Sequence, residues 1–214
     1  KLRPATNWQL VAVPGLVPDL TFFEHLANRR FPVTVWLRDP GEFDYIVEPD
    51  IFHDFFGHVP MLFNPVFADY IQAYGRGGIK AHELGAIEML ARLYWYTVEF
   101  GLMQTPDGLR IYGAGIVSSR AESIFALTDT SPNRLGFDLE RTMRTPYRID
   151  DFQQVYFVIP SIEALNDATL EDFGPIYERL KGQSDIGIEA IQPYDRVTTR
   201  GTQVYADKGG RFAA

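Results

Sequence analysis

The 214-residue chain reads as one mainly helical α+β domain, and three observations carry that reading. Its length suits a single domain with a sizeable core. Hydrophobic residues make up 46%, with 16 Phe and 11 Tyr, which marks a globular chain rather than a disordered one. Helix signals, meaning capping residues followed by apolar residues at helical spacing, recur along the sequence, and only a few short β-type runs interrupt them.

Composition also bounds function. A net charge of −8 argues against nucleic acid or an anionic membrane surface as partner. With no Cys there is no disulfide framework and no thiolate metal site, which fits a reducing cytoplasm. No signal peptide and no apolar run long enough to span a bilayer is evident. No internal repeat or terminal heptad pattern is present to drive assembly, so a monomer is expected.

Taken in order, residues 1–18 read as an extended lead-in, with a turn at Val13-Pro14-Gly15 and extended backbone before Pro18. Asp19 can cap a helix from about Leu20 to Arg30, whose apolar face holds Phe22, Phe23 and Leu26. Val33 to Leu37 alternates and is β-branched, as in a strand, and Arg38 follows at its end. Asn64-Pro65 opens a helix as N-cap and first residue, and Gly75–Gly78 is expected to stop it. A longer helix is expected from about Lys80 to Phe100, ended by Gly101; on it Trp95 and Glu99 would share a face. His82, near its polar start, and His25 are assigned no role.

Leu109 to Tyr112 reads as a short strand, and Gly113-Ala114-Gly115 permits close backbone approach. Ser119 and Glu122 form a capping-box pattern for a helix through about Leu127. Asp138 can start a short helix to Arg144, and Val155 to Ile159 reads as a strand. Ser161 and Thr169 look like caps of two further helices, the second reaching about Lys181. Residues 188–200 could form a terminal hairpin around Pro193-Tyr194-Asp195, and about 201–214 is expected to fray.

Chemistry concentrates in Glu48-Pro49-Asp50-Ile51-Phe52-His53-Asp54-Phe55-Phe56-Gly57-His58-Val59-Pro60. Two of the four histidines stand here, five residues apart among aromatic and apolar residues. Imidazole is the commonest protein ligand for transition metals. Zinc peptidases space their histidines at i and i+4. The i to i+5 step separates two rings by ~140° on an ideal α-helix, so both reach one metal only if the helix ends or distorts between them. Gly57 and Pro60 supply a reason to end a short helix begun near Asp50. A third donor is Glu99, in Tyr94-Trp95-Tyr96-Thr97-Val98-Glu99-Phe100-Gly101, since a carboxylate in so aromatic a run is costly to bury unless paired or metal-bound. Two histidines and one carboxylate make the facial triad of non-haem Fe(II) oxygenases.

These stretches carry a family resemblance. Glu48–Pro60 resembles the iron-binding signature of the pterin-dependent aromatic amino acid hydroxylases, and Tyr94–Leu102 resembles their carboxylate-bearing helix. Tyr112-Gly113-Ala114-Gly115-Ile116-Val117-Ser118-Ser119 resembles a third motif. The similarity runs from about Trp8 to the C-terminus and is greatest to the family's bacterial phenylalanine-hydroxylating branch. It implies one mainly helical catalytic domain over 1–214, lacking the N-terminal catalytic-domain sequence that members usually carry. It implies Fe(II) on His53, His58 and Glu99, and tetrahydrobiopterin or a related reduced pterin as cosubstrate. The pterin would lie along Gly15, Leu16 and Val17, stack on Phe22 and approach Asp54, which stands where animal relatives carry Glu. The substrate, a free aromatic amino acid reacting with O2, would meet Arg38 through its carboxylate. Tyr45, Pro49, Trp95, Gly115 and Ser118 would line its pocket, with Ser118 also orienting an iron-ligating histidine. Phenylalanine is the expected substrate. Hydroxylation of tryptophan or tyrosine, zinc-dependent hydrolysis, and a metal-stabilised domain without turnover are the alternatives.

Overall fold

A computed structural model describes residues 1–44, 46 and 48–207. A short helix α1 (Leu2–Thr6) precedes strand β1 (Gln9–Val13), so the first residues are not wholly extended. Asn7 ends α1 in the left-handed region at φ 61°. Strand β1 pairs in parallel with β2 (Arg30–Thr34), from Gln9 opposite Arg30 to Val13 opposite Thr34. A parallel pair needs a crossover, and α2 (Asp19–Ala27) supplies it. Asp19 is the first helical residue rather than the cap, which is Pro18. The strand ends at Thr34 instead of beginning at Val33, and the β-branched Val35 lies exposed beyond it.

Helix α3 (Pro65–Leu84) begins as the sequence indicates: the Asn64 side chain accepts from the main-chain N–H of Val66 and of Phe67. It does not stop at Gly75–Gly78. A Cβ on Gly75 would collide with the main chain of α2 at Leu26 and Ala27, and one on Gly78 with the Phe23 ring. These glycines are the notch in which α2 lies on α3, not helix breakers. The helix ends at Gly85, in the left-handed region at φ 68°. The next helix, α4 (Ile87–Tyr94), therefore starts seven residues later than expected and passes into a wider turn at Trp95–Glu99.

A five-stranded sheet lies beyond it, in the order β4-β3-β6-β5-β7. Strands β3 (Leu102–Thr105) and β4 (Gly108–Ile111) form an antiparallel hairpin. Strand β6 (Val155–Ile159) runs parallel to both β3 and β5 (Asn133–Gly136). Strand β7 (Val197–Thr199) pairs antiparallel with β5, so residues 188–200 do not fold on themselves as a hairpin. Between these lie α5 (Ala114–Val117), α6 (Arg120–Thr128), α7 (Leu139–Met143), α8 (Ile162–Ala168) and α9 (Gly174–Leu180). Ser119, Asp138 and Ser161 cap α6, α7 and α8 by accepting from Glu122, Arg141 and Ala164 main-chain N–H groups. Glu122 does not complete a box; its carboxylate accepts from the Tyr156 hydroxyl at 2.8 Å and the Gln153 N–H at 3.2 Å. Thr169 caps the end of α8, not the start of α9, bonding back to Leu165 and Asn166 carbonyls. Residues 201–207 are tied down, with the Tyr205 hydroxyl donating to Asp151 at 2.8 Å; residues 208–214 of the expected frayed tail lie outside the described residues.

Among the described residues the core has two apolar clusters. The larger one joins Trp8, Leu26, Tyr70, Leu90, Leu93, Tyr96 and Phe157; the other, around Phe125, Phe152 and Tyr156, lies under α6. No helix among the described residues is long and apolar enough to cross a membrane.

Candidate metal centre and active-site cleft

His53 and His58 share a π-helical turn, His53–His58, closed by the Val59 N–H donating to the Asp54 carbonyl five residues back at 3.0 Å. The wider register answers the spacing problem. Residues at i and i+5 diverge on an α-helix but fall on one face of a π-helix. The two Nε2 atoms stand 2.9 Å apart. The helix is thus distorted between them rather than ended, and Gly57 allows this by packing where a Cβ would sit 2.7 Å from that of Ala114.

Glu99 arrives from a second π-helical turn, Trp95–Glu99, in which the Phe100 N–H meets the Trp95 carbonyl at 2.8 Å. Its Oε1 is 3.1 Å from His58 Nε2 and its Oε2 is 3.5 Å from His53 Nε2. Ligands at about 2.1 Å from a metal and at right angles to one another stand about 3.0 Å apart. The 2.9 Å and 3.1 Å separations match that spacing, and the 3.5 Å contact to His53 is made by the other Glu99 oxygen. The donor set is two imidazoles and one carboxylate, almost fully buried, and it fits a facial triad with positions left for exogenous ligands.

The electrostatics agree with a cation-seeking site. Burial lowers the His53 pKa, and Glu99 opposes that only in part. For His58 burial also disfavours charge, but Glu99, by charge and hydrogen bond, raises the pKa overall. Glu99 is held below the usual carboxylate range: burial disfavours its charge, and the two imidazoles and a hydrogen bond from Tyr94 outweigh that.

Asp54 also lies near, with a ligand atom within 4.8 Å of those of both histidines. One of its oxygens is committed to Thr34: Oδ2 accepts from the Thr34 N–H at 2.7 Å and from the Thr34 hydroxyl at 2.8 Å. His53 is oriented from behind. Its Nδ1 is 2.8 Å from Ser118 Oγ, and the Ser118 hydroxyl can donate to the Gly115 carbonyl at 3.4 Å. The Ser118 oxygen then accepts from Nδ1–H, and that tautomer leaves the Nε2 lone pair facing Glu99 and His58.

The centre forms the floor of a cleft of about 580 Å³. Gly15, Leu16, Val17, Phe22, Pro49, Asp54, Trp95 and Gly115 all line it, as the sequence suggests. Phe22 makes edge contacts with Phe23 at 6.0 Å and Tyr94 at 5.6 Å. Gly115 packs closely on the centre: a Cβ there would lie 3.0 Å from the Phe100 ring, 3.1 Å from the Glu99 carbonyl and 3.3 Å from Glu99 Oε2. Trp95 and Glu99 both face the cleft from this turn, and the Trp95 ring stacks on Tyr147 at 4.4 Å and 21°. Tyr45 lies outside the described residues.

Two residues are not at the cleft wall. Ser118 stands behind His53, and the Arg38 side chain is wholly buried. Its Nε and Nη2 form a fork on Asp50 at 2.9 and 2.7 Å, its Nη1 donates to the Ser118 carbonyl at 2.7 Å, and the Phe52 ring covers it at 5.1 Å. Asp50 in turn accepts the His53 N–H at 2.9 Å. Arg38 is therefore linked to the metal centre through Asp50 and Ser118. Sequence reading missed Asp50 as its partner. It also missed Tyr147, Ile149 and Glu122 in the cleft wall, for which spacing gives no signal.

The Biopterin_H model, described as biopterin-dependent aromatic amino acid hydroxylase, matches residues 1–180. This chain belongs to that family. The phenylalanine-4-hydroxylase of Caulobacter vibrioides is 70% identical over 213 residues, covering 100% of this chain and 72% of the relative. That of Chromobacterium violaceum is 62% identical over 208 residues, covering 97% and 70%. A cobalt-bound crystal structure of the C. violaceum enzyme superposes with a TM-score of 0.90 at 64% identity, covering 92% of this chain and 71% of that one. The hydroxylase fold expected from the sequence, a mixed α+β arrangement, is thus the fold observed.

Proposed function

We propose that this chain is an Fe(II)- and tetrahydropterin-dependent monooxygenase that hydroxylates the ring of free L-phenylalanine to give L-tyrosine. The observation that carries the reading is the convergence of His53 Nε2, His58 Nε2 and the two Glu99 carboxylate oxygens in an aromatic-walled cleft. The names of the relatives and the iron-bound relative structure support it. Residues 1–214 are read as one catalytic domain, acting in the cytoplasm as a monomer without a nucleic-acid partner.

In this reading His53, His58 and Glu99 hold the iron, which, once bound, supplies oxygen activation together with the reduced pterin. The chain's own work is placement and dryness. Phe22 offers the pterin ring a stacking face, and the main chain of Gly15–Val17 offers its edge hydrogen-bond partners. Asp54, pinned by Thr34, presents its other oxygen toward the pterin or a water beside it. Trp95, braced by Tyr147, and Pro49 hold the substrate ring. Arg38 is read as the partner of the substrate carboxylate; its guanidinium is held behind the cleft by Asp50 and the Ser118 carbonyl, so the carboxylate must displace one of these contacts to reach it. Ser118 keeps the His53 proton on Nδ1. Burial keeps bulk water from the reacting groups.

The test is an assay with Fe(II), tetrahydrobiopterin and O2 against phenylalanine, tryptophan and tyrosine, with products identified by mass. Tyrosine formed from phenylalanine, with pterin consumed in step, is the expected result. Preferred turnover of tryptophan or tyrosine would move the assignment within the family. Hydrolysis without oxygen uptake would overturn it.

A further inference from the structure

The Trp95–Glu99 turn holds no glycine and no proline, so its width has another cause. The backbone register changes here. The Trp95 N–H still reaches the Ala91 carbonyl four residues back, whereas the Phe100 N–H reaches the Trp95 carbonyl five residues back. Thr97 stands in the middle and is fully buried. Its hydroxyl donates to the Leu93 carbonyl, four residues back, at 2.6 Å. A threonine that bonds back in this way opens and bends a helix. The same oxygen is 3.0 Å from the Tyr70 hydroxyl on α3. A threonine hydroxyl has one hydrogen, and the carbonyl can only accept, so Tyr70 must donate to Thr97. The result is a directed chain from Tyr70 O–H to Thr97 O–H to the Leu93 carbonyl, in a dry interior where such chains strengthen one another.

The other side of the turn is walled by close-packed backbone. A Cβ on Gly101 would strike the Thr97 carbonyl and one on Gly113 the Glu99 carbonyl. The turn is thus held from α3 on one side and from the glycine-rich segment on the other.

We propose that Thr97 is a positioning residue for the metal centre: with Tyr70 it fixes the five-back register that aims the Glu99 carboxylate at the two imidazoles. The inference rests on the reading of Glu99 as a ligand given above. It assigns a role to a hydroxyl that touches neither metal, pterin nor substrate.

The test uses Co(II) alone as the probe, read by titration and by its visible spectrum, beside steady-state kinetics with phenylalanine. Thr97→Val keeps the shape and removes both bonds. It is expected to weaken Co(II) binding about tenfold or more, alter the visible band, and lower kcat more than it changes KM. Thr97→Ser keeps the hydroxyl and is expected to restore affinity to within about threefold of wild type. Tyr70→Phe removes only the outer bond and should weaken binding in the same direction by about threefold, and it carries the test if Thr97→Val does not fold. Wild-type Co(II) affinity and spectrum in Thr97→Val, or in Tyr70→Phe should that be the only folded variant, would overturn the proposal, whatever the loss of thermal stability. Failure of the wild-type chain to bind Co(II) would instead sink the reading of the centre itself.

Discussion

Two π-helical turns bring the three donor groups together, and they differ in what makes them wide. The His53–His58 turn lies at the surface: Phe55 and Phe56 on its outer side are about half exposed, and Phe56 stacks on Phe52 at 5.0 Å. Its width is bound up with Gly57, which lets the inner side sit on Ala114. The Trp95–Glu99 turn lies in the core, with Tyr96, Thr97, Val98 and Glu99 all buried. Its width is set by a hydroxyl and by partners on α3 and the glycine segment. The first turn is shaped by its own sequence, the second by the rest of the fold. Substitutions in the first should act locally on the two imidazoles, and those in the second should move the carboxylate that stands beside them.

The largest effect is expected at the end of the buried turn. Glu99→Gln keeps size and removes the ligand charge, so hydroxylation should fall by about 100-fold or more, measured as tyrosine formed per minute with saturating Fe(II). Wild-type turnover in that variant would break the comparison at its root. Gly57→Ala tests the surface turn. The added Cβ would meet Ala114 Cβ at 2.7 Å, its Cα at 2.9 Å and its carbonyl oxygen at 3.0 Å, so backbone must shift. A loss of about 1–3 kcal/mol in denaturant unfolding is expected, together with weaker metal binding. Unchanged stability would mean that the turn is not held against α5.

The network behind the first turn has a pH signature. Burial works against the Asp50 charge, but the Arg38 fork and the N–H groups of His53 and Arg38 outweigh it and bring the pKa down from 3.8 to about 2. A depressed carboxylate pKa stabilises the fold above the unfolded value and loses that stabilisation as pH falls through the folded one. On the order of 2 kcal/mol should therefore disappear between about pH 4 and pH 2. Denaturant midpoints across that window should drop in wild type and less steeply in Asp50→Asn; parallel slopes would contradict the assignment.

Arg38→Lys separates two roles of one side chain. Lysine keeps the charge but cannot fork on Asp50 and reach the Ser118 carbonyl together. The KM for phenylalanine should rise about tenfold, or ~1.4 kcal/mol, while phenethylamine, which lacks the carboxylate, responds little. Equal losses for both compounds would show that Arg38 serves only the centre behind Asp50. The smallest effect is expected at Phe22→Ala, which removes a stacking face worth about 1 kcal/mol. The pterin KM should rise several-fold with normal iron content; an unchanged KM with a large drop in Tm would make Phe22 a packing residue.

The two turns also show what a sequence can and cannot display. Local chemistry was legible: Asn64-Pro65, Ser119, Asp138 and Ser161 start helices because their side chains answer N–H groups two or three residues away. So was the meeting of His53, His58 and Glu99, since histidine and a carboxylate in apolar runs are costly without a partner. Gly57 marked the first turn as irregular, though as an end rather than a widening. In Trp-Tyr-Thr-Val-Glu only Thr97 bears on the second, and a threonine alone does not announce a widened turn: its partner Tyr70 lies 27 residues away. Gly75 and Gly78 misled for the same reason: their role is set by α2, not by their neighbours in the chain. The Arg38–Asp50 pair, the Tyr147–Trp95 stack and the parallel β1–β2 pairing are likewise products of long-range contact.

The central claim, that these two turns complete one metal face, is tested most directly by anaerobic Fe(II) titration of wild type, His53→Ala, His58→Ala, Glu99→Gln and Asp54→Asn. One Fe(II) per chain in wild type, loss of about tenfold or more in affinity for the first three variants, and near wild-type affinity for Asp54→Asn is the result the account predicts. Wild-type affinity in Glu99→Gln together with lost binding in Asp54→Asn would contradict it, and would make the metal site a property of the surface turn alone.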